Sequence, residues 1–316
     1  MVTTIVTPGR ICLLGDKVDL LNKPVIAAAI NKTLTINLEK LDNKIVYESQ
    51  GLAKKYEFNL KEKYADTNFS YQNAVYELLK HKIRGGFICK DSTNLPIGAG
   101  VSSSAAISVG FTKALNKEFS LNLNDYEVAE LAYKAEHDSL GISCGRMDQY
   151  SIAFGGVTFI KTGLAPKVER LKISSLPIIV ANSNEPRSAK IVLNETMKLV
   201  NDKNEKMLQC FDTVYRGVLE GKKALENNDF EKLGELMNIQ QSIENEFNKL
   251  LSTPSATPKL NLLCETAIKN GALGAKQMGA GGGGCMIALC PTNKEKIGKE
   301  LEKLGATVYP VNIFNY

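Results

Sequence analysis

Histidine is nearly absent from this 316-residue chain, which has only His81 and His137. Zinc sites usually combine several His and Cys side chains, so a zinc site of that type is not expected. The seven cysteines are odd in number, form no C-x-x-C pair and stand mostly in apolar segments. This pattern predicts buried free thiols rather than a disulfide framework, and hence a reducing, cytoplasmic location.

Long apolar runs are missing as well. No stretch of about 18 apolar residues occurs, and the N-terminus lacks the basic region of a signal peptide, so we expect neither a membrane span nor a secretory leader. Lys and Arg number 39 against 34 Asp and Glu, a net charge of +5, and the lysines are scattered. This distribution predicts no nucleic-acid-binding arm. With 44% hydrophobic residues, the chain can bury one large core or two smaller ones.

Two kinds of hydrophobic pattern divide the chain. Short apolar or alternating runs predict mainly strands in the first hundred residues, with one helix among them, and a mainly helical pattern follows from residue 102. Asn124 and Glu127 form a capping-box pattern at the start of a second helix. The predicted strands are 3–14, 25–30, 33–38, 44–48, 86–90, 155–160, 177–181, 272–278, 285–289 and 307–312. The predicted helices are 71–82, 102–115, 124–137, long helices across 187–270, and 294–304.

The most specific motif is residues 95–106, Leu-Pro-Ile-Gly-Ala-Gly-Val-Ser-Ser-Ser-Ala-Ala. Its two glycines allow the backbone to approach a ligand closely, and its three serines open a helix whose first amide groups lack internal partners. A phosphate is stabilised at such a helix start, and a hydroxyl there can coordinate magnesium. The alternative, an N-cap serine before a core helix, is what a Gly-x-Gly alone would favour. The motif is neither a Walker A loop nor a dinucleotide-binding G-x-G-x-x-G.

The string Pro-x-x-x-Gly-x-Ser-Ser-Ser-Ala-Ala resembles the central signature of the GHMP kinases, which include galactokinase, homoserine kinase, mevalonate kinase and phosphomevalonate kinase. The resemblance implies an α+β fold of two domains. The first, 1–175, would have a left-handed βαβ crossover, and the second, 176–316, would be ferredoxin-like. It also implies ATP and Mg²⁺ as cofactors. The residues implied for nucleotide binding are Pro96, Gly98, Ala99, Gly100, Val101, Ser102, Ser103, Ser104, Ala105, Gly281 and Gly282.

Two carboxylates follow the loop, Glu136 and Asp148. Glu136 borders the apolar stripe of its helix, where position alone favours a salt bridge to a lysine at the rim. Asp148 lies close to Arg146 in sequence, which favours a structural ion pair. The surrounding Ala-Glu-His and Cys-Gly-Arg-Met-Asp-Gln segments, however, resemble those of galactokinases. That resemblance implies that Ser104 and Glu136 bind magnesium and that Asp148 is the base that accepts a proton from the acceptor hydroxyl.

Arginine supplies only 6 of the 39 cationic residues, yet Arg10, Arg146 and Arg187 all lie in candidate motifs. This bias suits planar contacts to carboxylate or phosphate. Residues 8–19, Pro-Gly-Arg-Ile-Cys-Leu-Leu-Gly-Asp-Lys-Val-Asp, resemble the sugar-binding signature of galactokinases. The resemblance implies that Arg10 is catalytic and neutralises the transferred phosphoryl group.

The same resemblance implies that Asp16, Lys17, Asp19 and Asn182 bind the acceptor. Asp16 and Lys17 replace the Glu and His of the signature. Lys17 could pair with an acidic sugar, but the favoured interpretation is that it donates to a hydroxyl or pairs with Asp16. Asn182 opens a polar segment, 182–187, for which a loop between strand and helix is the alternative.

Residues 274–285 form the third motif, Gly-Ala-Lys-Gln-Met-Gly-Ala-Gly-Gly-Gly-Gly-Cys. Glycine in such density costs backbone entropy, which predicts close approach to a ligand or to the phosphate loop. The motif resembles mevalonate kinases more than galactokinases.

Three functions fit these motifs. A sugar kinase is favoured, because the segments around Arg10 and Asp148 would line the acceptor. Mevalonate kinases normally carry lysine at the position of Arg10. A non-catalytic sugar sensor would have a damaged serine-alanine loop, whereas residues 102–106 are intact. We therefore expect an ATP-dependent kinase whose small-molecule acceptor is a monosaccharide, with mevalonate as the alternative.

Overall fold

The computed structural model describes residues 2–96 and 98–316. Ile97, in the predicted phosphate loop, lies outside the described residues. The chain divides into two compact units. Unit 1 comprises Met1–Gly9, Asn31–Pro96 and Ser102–Phe154, and unit 2 comprises Arg10–Ile30, Ile97–Val101 and Gly155–Tyr316. The expected domain boundary at residue 175 stays a prediction.

Strands and helices occupy most of the described chain. The strands are β1 (Thr3–Leu14), β2 (Val25–Leu41), β3 (Lys44–Ser49), β4 (Lys54–Asn59), β5 (Gly86–Thr93), β6 (Val157–Lys161), β7 (Lys167–Leu171), β8 (Ile178–Asn182), β9 (Gly274–Gln277), β10 (Cys285–Leu289) and β11 (Thr307–Pro310). The α-helices are α1 (Ser70–Leu79), α2 (Ser103–Glu118), α3 (Asp125–Lys134), α4 (Met147–Phe154), α5 (Ala189–Asn201), α6 (Glu205–Glu226), α7 (Phe230–Asn248), α8 (Pro258–Lys269) and α9 (Lys294–Lys303). Short 3₁₀ turns lie at Val18–Leu21 and Lys80–Lys82, and a π-helical turn at Ala135–Ser139.

Unit 1 contains a β-α-β crossover. Strands β3 and β5 are parallel, with Ile45 opposite Phe87, and helix α1 lies between them in the sequence. β4 pairs antiparallel with β3, and β5 pairs antiparallel with the second half of β2. The fully buried ring of Tyr47 packs against Phe69 and Phe111, at centroid distances of 5.5 and 5.9 Å. This aromatic core holds α2 against the strands.

Unit 2 contains an antiparallel sheet with the strand order β11-β8-β10-β9. Along the chain its elements follow as β8, helices α5 to α8, β9, β10, α9 and β11. This is the ferredoxin-like arrangement, so that expectation is confirmed. The core between helices and sheet includes the buried side chains of Leu263, Met286 and Leu301.

Several local predictions differ from the structure. The strands predicted at 25–30 and 33–38 are one continuous strand, β2, since the polar pair Asn31 and Lys32 does not interrupt it. β4 and β7 are missing from the predictions. Residues 55–59 of β4 alternate polar and aromatic, with Phe58 buried, so a half-buried strand was overlooked there, whereas β7 is short, mostly polar and without alternation. The capping box of α3 is confirmed. Among the helices of the described residues, none combines the length and apolarity needed to cross a membrane.

Candidate active site

The described part of the phosphate loop in unit 2 is built on two glycines with left-handed backbone. Gly98 and Gly100 have φ of 73° and 93°, and a Cβ atom at Gly98 would meet no heavy atom within 4 Å. Arg10 lies against this loop, because its Nη1 donates to the carbonyl of Gly100 (2.8 Å) and its backbone N–H to that of Val101 (3.1 Å). The loop therefore leaves space for a ligand at Gly98 and has a guanidinium group beside it.

Arg187 lies beside both glycine-rich segments of unit 2. A Cβ atom at Gly100 would stand 3.5 Å from the Cζ of Arg187, and one at Gly284 would stand 3.0 Å from its Cδ. One at Gly279 would stand 3.8 Å from its Nη2. Arg187 was not among the predicted site residues, although the scarcity of arginine pointed to it.

Ser102, in unit 1, directly precedes helix α2 and has a left-handed backbone conformation, with φ 62° and ψ 49°. That conformation is uncommon for a residue other than glycine and costs of order 1 kcal/mol. Its hydroxyl does not cap the helix, so the N-cap alternative does not describe it. It donates instead to Oδ2 of Asp148, at 2.5 Å. Ser103 and Ser104 form the first turn of α2, and Ala105 is fully buried.

Asp148 lies in the first turn of α4, where the helix dipole stabilises a negative charge. Arg146, its neighbour in sequence, forms a bidentate ion pair with Glu130, with both distances at 3.0 Å. The hydroxyl of Tyr150 donates to the same carboxylate (2.8 Å), and the guanidinium of Arg146 stacks 4.1 Å from the centroid of Tyr133. The segment before Asp148 is thus fixed to helix α3.

Glu136 lies in the π-helical turn and is only 3% exposed, so the prediction of a salt bridge at the helix rim is wrong. Nε2 of Gln149 donates to its Oε1 at 3.0 Å. Burial, together with the charge of Asp148, raises the pKa of Glu136 to about 7, although the hydrogen bond from Gln149 lowers it. A bound cation would stabilise the ionised form of a buried carboxylate of this kind.

Ser104 and Glu136 have the chemistry of an incomplete magnesium site. Within residues 2–96 and 98–316, no group of three His, Cys, Asp or Glu side chains could hold a metal ion by itself. Mg²⁺ commonly takes one or two protein oxygens and completes its shell with water and substrate phosphates. The residues fit magnesium, and their assignment to it stays a prediction.

The residues predicted for the acceptor have extensive internal partners. In unit 2, Asp16 pairs with Lys276, and Lys17 pairs with Glu244 at 2.6 Å. Lys17 was expected to donate to a hydroxyl or to pair with Asp16. The pairing with Asp16 is wrong, and donation to an acceptor hydroxyl stays a prediction. Asp19 is 8% exposed in the 3₁₀ turn.

Asn182 ends strand β8, and its Oδ1 accepts from the backbone N–H of Asn184 (3.1 Å). This contact shapes the loop that follows the strand. That Asn182, Asp16, Lys17 and Asp19 bind the acceptor stays a prediction.

The glycine-rich part of the third motif, residues 279–284 and called the glycine run below, packs against other segments of unit 2. A Cβ atom at Gly281 would lie 2.3 Å from the carbonyl oxygen of Ser255, and one at Gly282 3.2 Å from Cβ of Ser188. At Gly284 a Cβ atom would lie 3.2 Å from the carbonyl oxygen of Ala99, so the expected approach to the phosphate loop is confirmed there. The nucleotide-binding role of Gly281 and Gly282 stays a prediction.

Comparison with known proteins identifies the family. The sequence profile described as GHMP kinases N terminal domain matches residues 68–156, and that described as GHMP kinases C terminal matches 222–307. A mevalonate kinase of Pyrococcus abyssi is 30% identical over 95% of this chain and 92% of its own length. A galactokinase of Thermococcus kodakarensis is 29% identical over 96% of this chain and 94% of its own length.

Solved structures of a galactokinase and a mevalonate kinase have a similar fold. The Lactococcus lactis galactokinase complexed with galactose has a TM-score of 0.86 at 25% identity, covering 99% of this chain and 94% of that chain. The Methanococcus jannaschii mevalonate kinase has a TM-score of 0.83 at 26% identity, covering 100% and 99%. With both family profiles and a two-unit fold of this kind, the chain belongs to the GHMP kinases and is an ATP-dependent kinase of a small molecule.

Proposed function

We propose that the acceptor is a monosaccharide hydroxyl and that Asp148 accepts its proton. The observation that carries this proposal is the hydrogen bond from Ser102 to Asp148, because it fixes a carboxylate at the serine end of the phosphate loop. As the proton leaves, the acceptor oxygen attacks the γ-phosphorus of ATP, the bond to the β–γ bridging oxygen breaks, and ADP departs. Mg²⁺, bound through Ser104 and Glu136, would supply neutralising charge at the phosphates.

Arg10 and Arg187 would contact the phosphates. Arg10 already donates to the carbonyl of Gly100, and Arg187 lies beside the same glycine. A planar guanidinium group offers several donors to phosphate oxygens, which suits it to a transferred phosphoryl group.

The choice of a sugar rests on two motifs, Pro8-Gly9-Arg10 and Met147-Asp148-Gln149. Carboxylates such as Asp148 and Asp19 accept hydrogen bonds from neutral hydroxyls and repel another carboxylate. Mevalonate is the second candidate acceptor. It is favoured by the glycine-run motif and by the similarity to the mevalonate kinase of P. abyssi.

An ADP-release assay with neutral hexoses, amino sugars, uronates, inositol and mevalonate tests the proposal. We expect turnover of one or more sugars, with the product identified by ³¹P NMR. The Asp148→Asn variant is the control for contaminating kinases. Efficient turnover of mevalonate with no activity on any sugar would overturn the proposal.

A further inference from the structure

Asp16 and Lys17 form two ion pairs that are fully enclosed within unit 2. The side chains of Asp16 and Lys276 are both 0% exposed, and those of Lys17 and Glu244 are both 1% exposed. Charges this deeply buried are costly unless each has a partner and further hydrogen bonds. Such an arrangement in a family motif calls for a role beyond local stability.

Both residues reach the backbone of the glycine run. Asp16 accepts from the N–H of Gly279 through Oδ1, and from Lys276 and Gln240 through Oδ2. Lys17 Nζ lies 3.5 Å from each of the carbonyl oxygens of Gly279 and Ala280.

The carboxylate of Glu244 and the hydroxyl of Ser255 complete the shell of Lys17. Its Nζ lies 2.6 and 2.8 Å from the two oxygens of Glu244 and 3.1 Å from Oγ of Ser255. Ser255 in turn donates to Glu244 at 2.6 Å, and its own carbonyl accepts from the N–H of Gly282 at 2.8 Å. The network therefore contacts the glycine run at three residues.

The glycine run depends on such contacts for a defined conformation. Gly279 and residues 281–284 all have positive φ, and a glycine backbone loses more conformational entropy on ordering than any other. The glycine run also packs against the phosphate loop, because Gly284 lies next to Ala99 and to the side chain of Arg187.

We propose that Asp16 and Lys17 are positioning residues that hold the glycine run for ATP binding, and that they do not select the acceptor. The proposal rests on the proposed function, in which the phosphate loop and Arg187 contact ATP. It predicts that loss of the network weakens ATP binding and leaves the acceptor KM unchanged.

The Lys17→Met/Glu244→Met variant removes both charges together, so that neither is left buried without its partner. Asp16→Glu is a milder change, because it keeps the charge and moves the carboxylate relative to the N–H of Gly279. The matched control is Leu301→Ala, which opens a cavity in the core of unit 2 at a buried helix position outside this network. Thermal unfolding ranks the stability of all three.

The Kd of Mg-ATP, measured by calorimetry without acceptor, and the KM values of ATP and acceptor are then compared. We expect the double variant to raise the Kd and KM of ATP by about tenfold or more, while the acceptor KM changes by less than about twofold. Asp16→Glu should shift the same constants in the same direction by a smaller factor. Leu301→Ala should lower the unfolding temperature and leave both KM values near those of the wild type.

A rise in the acceptor KM with an unchanged Kd of ATP would overturn the proposal, as would unchanged constants in both network variants. If the double variant does not fold, Asp16→Glu decides between these outcomes. Turnover of mevalonate with no activity on any sugar would overturn the sugar assignment alone, because the KM values of ATP and acceptor can be compared with either acceptor.

Discussion

Ser102 donates a hydrogen bond of 2.5 Å from its hydroxyl to Oδ2 of Asp148. The serine adopts a left-handed backbone conformation at the position where most serines would cap the helix. The hydroxyl is thereby turned from the helix end to the carboxylate. Backbone strain often occurs at functional sites, which fits a role of Ser102 in positioning the carboxylate of Asp148.

Two substitutions of Ser102 separate its hydroxyl from its backbone. Ser102→Gly removes the hydroxyl at a φ of 62° that glycine adopts without strain, so kcat should fall while stability is retained. Ser102→Ala removes the hydroxyl at the same strained φ. We expect the two variants to share their loss of kcat, and the glycine variant to be the more stable, by about 1 kcal/mol in the free energy of unfolding. A wild-type kcat in folded Ser102→Gly would show that the hydrogen bond does not serve catalysis.

Asp148→Asn should abolish turnover and leave ATP bound. The amide keeps the shape of the side chain but is a poor proton acceptor, so kcat should fall by at least about a hundredfold. Steady-state kinetics and calorimetry with Mg-ATP measure the two effects. A kcat within severalfold of the wild type would exclude Asp148 as the base.

Ser104→Ala and Glu136→Gln should each raise the magnesium concentration needed for half-maximal activity. Ser104→Ala removes an oxygen that would hold Mg²⁺, and Glu136→Gln replaces a charged carboxylate with a neutral amide, which is a weaker ligand for a hard cation. Glu127→Gln makes the same change of charge in the capping box of α3 and serves as the control. The metal assignment fails if both variants keep the wild-type magnesium dependence.

The buried carboxyl of Glu136 should make stability depend on pH. Its pKa is raised from its usual 4.5 to about 7, so the folded state holds a proton that the unfolded state has lost between these values. Stability that is present at low pH is therefore lost as the pH rises through 7, by up to about 3 kcal/mol. Without metal and nucleotide, the free energy of unfolding should fall more steeply from about pH 5 to 8 in the wild type than in Glu136→Gln. Parallel pH profiles of the two proteins would contradict this.

The sequence by itself determined the features that depend on short stretches of chain. Hydrophobic spacing and helix-start chemistry are local, so β1, β10 and the capping box of α3 were predicted as the structure has them. The serine-rich loop and the segments around Arg10 and Asp148 likewise identified the family, because such motifs are contiguous. Strand β7 escaped prediction because its five residues are mostly polar and do not alternate, whereas β4 was overlooked although residues 55–59 alternate polar and aromatic side chains.

Only the tertiary structure decided which side chains meet. Lys17 pairs with Glu244, which is 227 residues away, and Asp16 pairs with Lys276, which is 260 residues away. Glu136 is buried rather than at the rim, and it accepts a hydrogen bond from Gln149, which lies on the next helix. No local pattern specifies such partners: the cost of burying a charge requires that a counter-charge be near, and only the folding of distant segments together determines which residue supplies it.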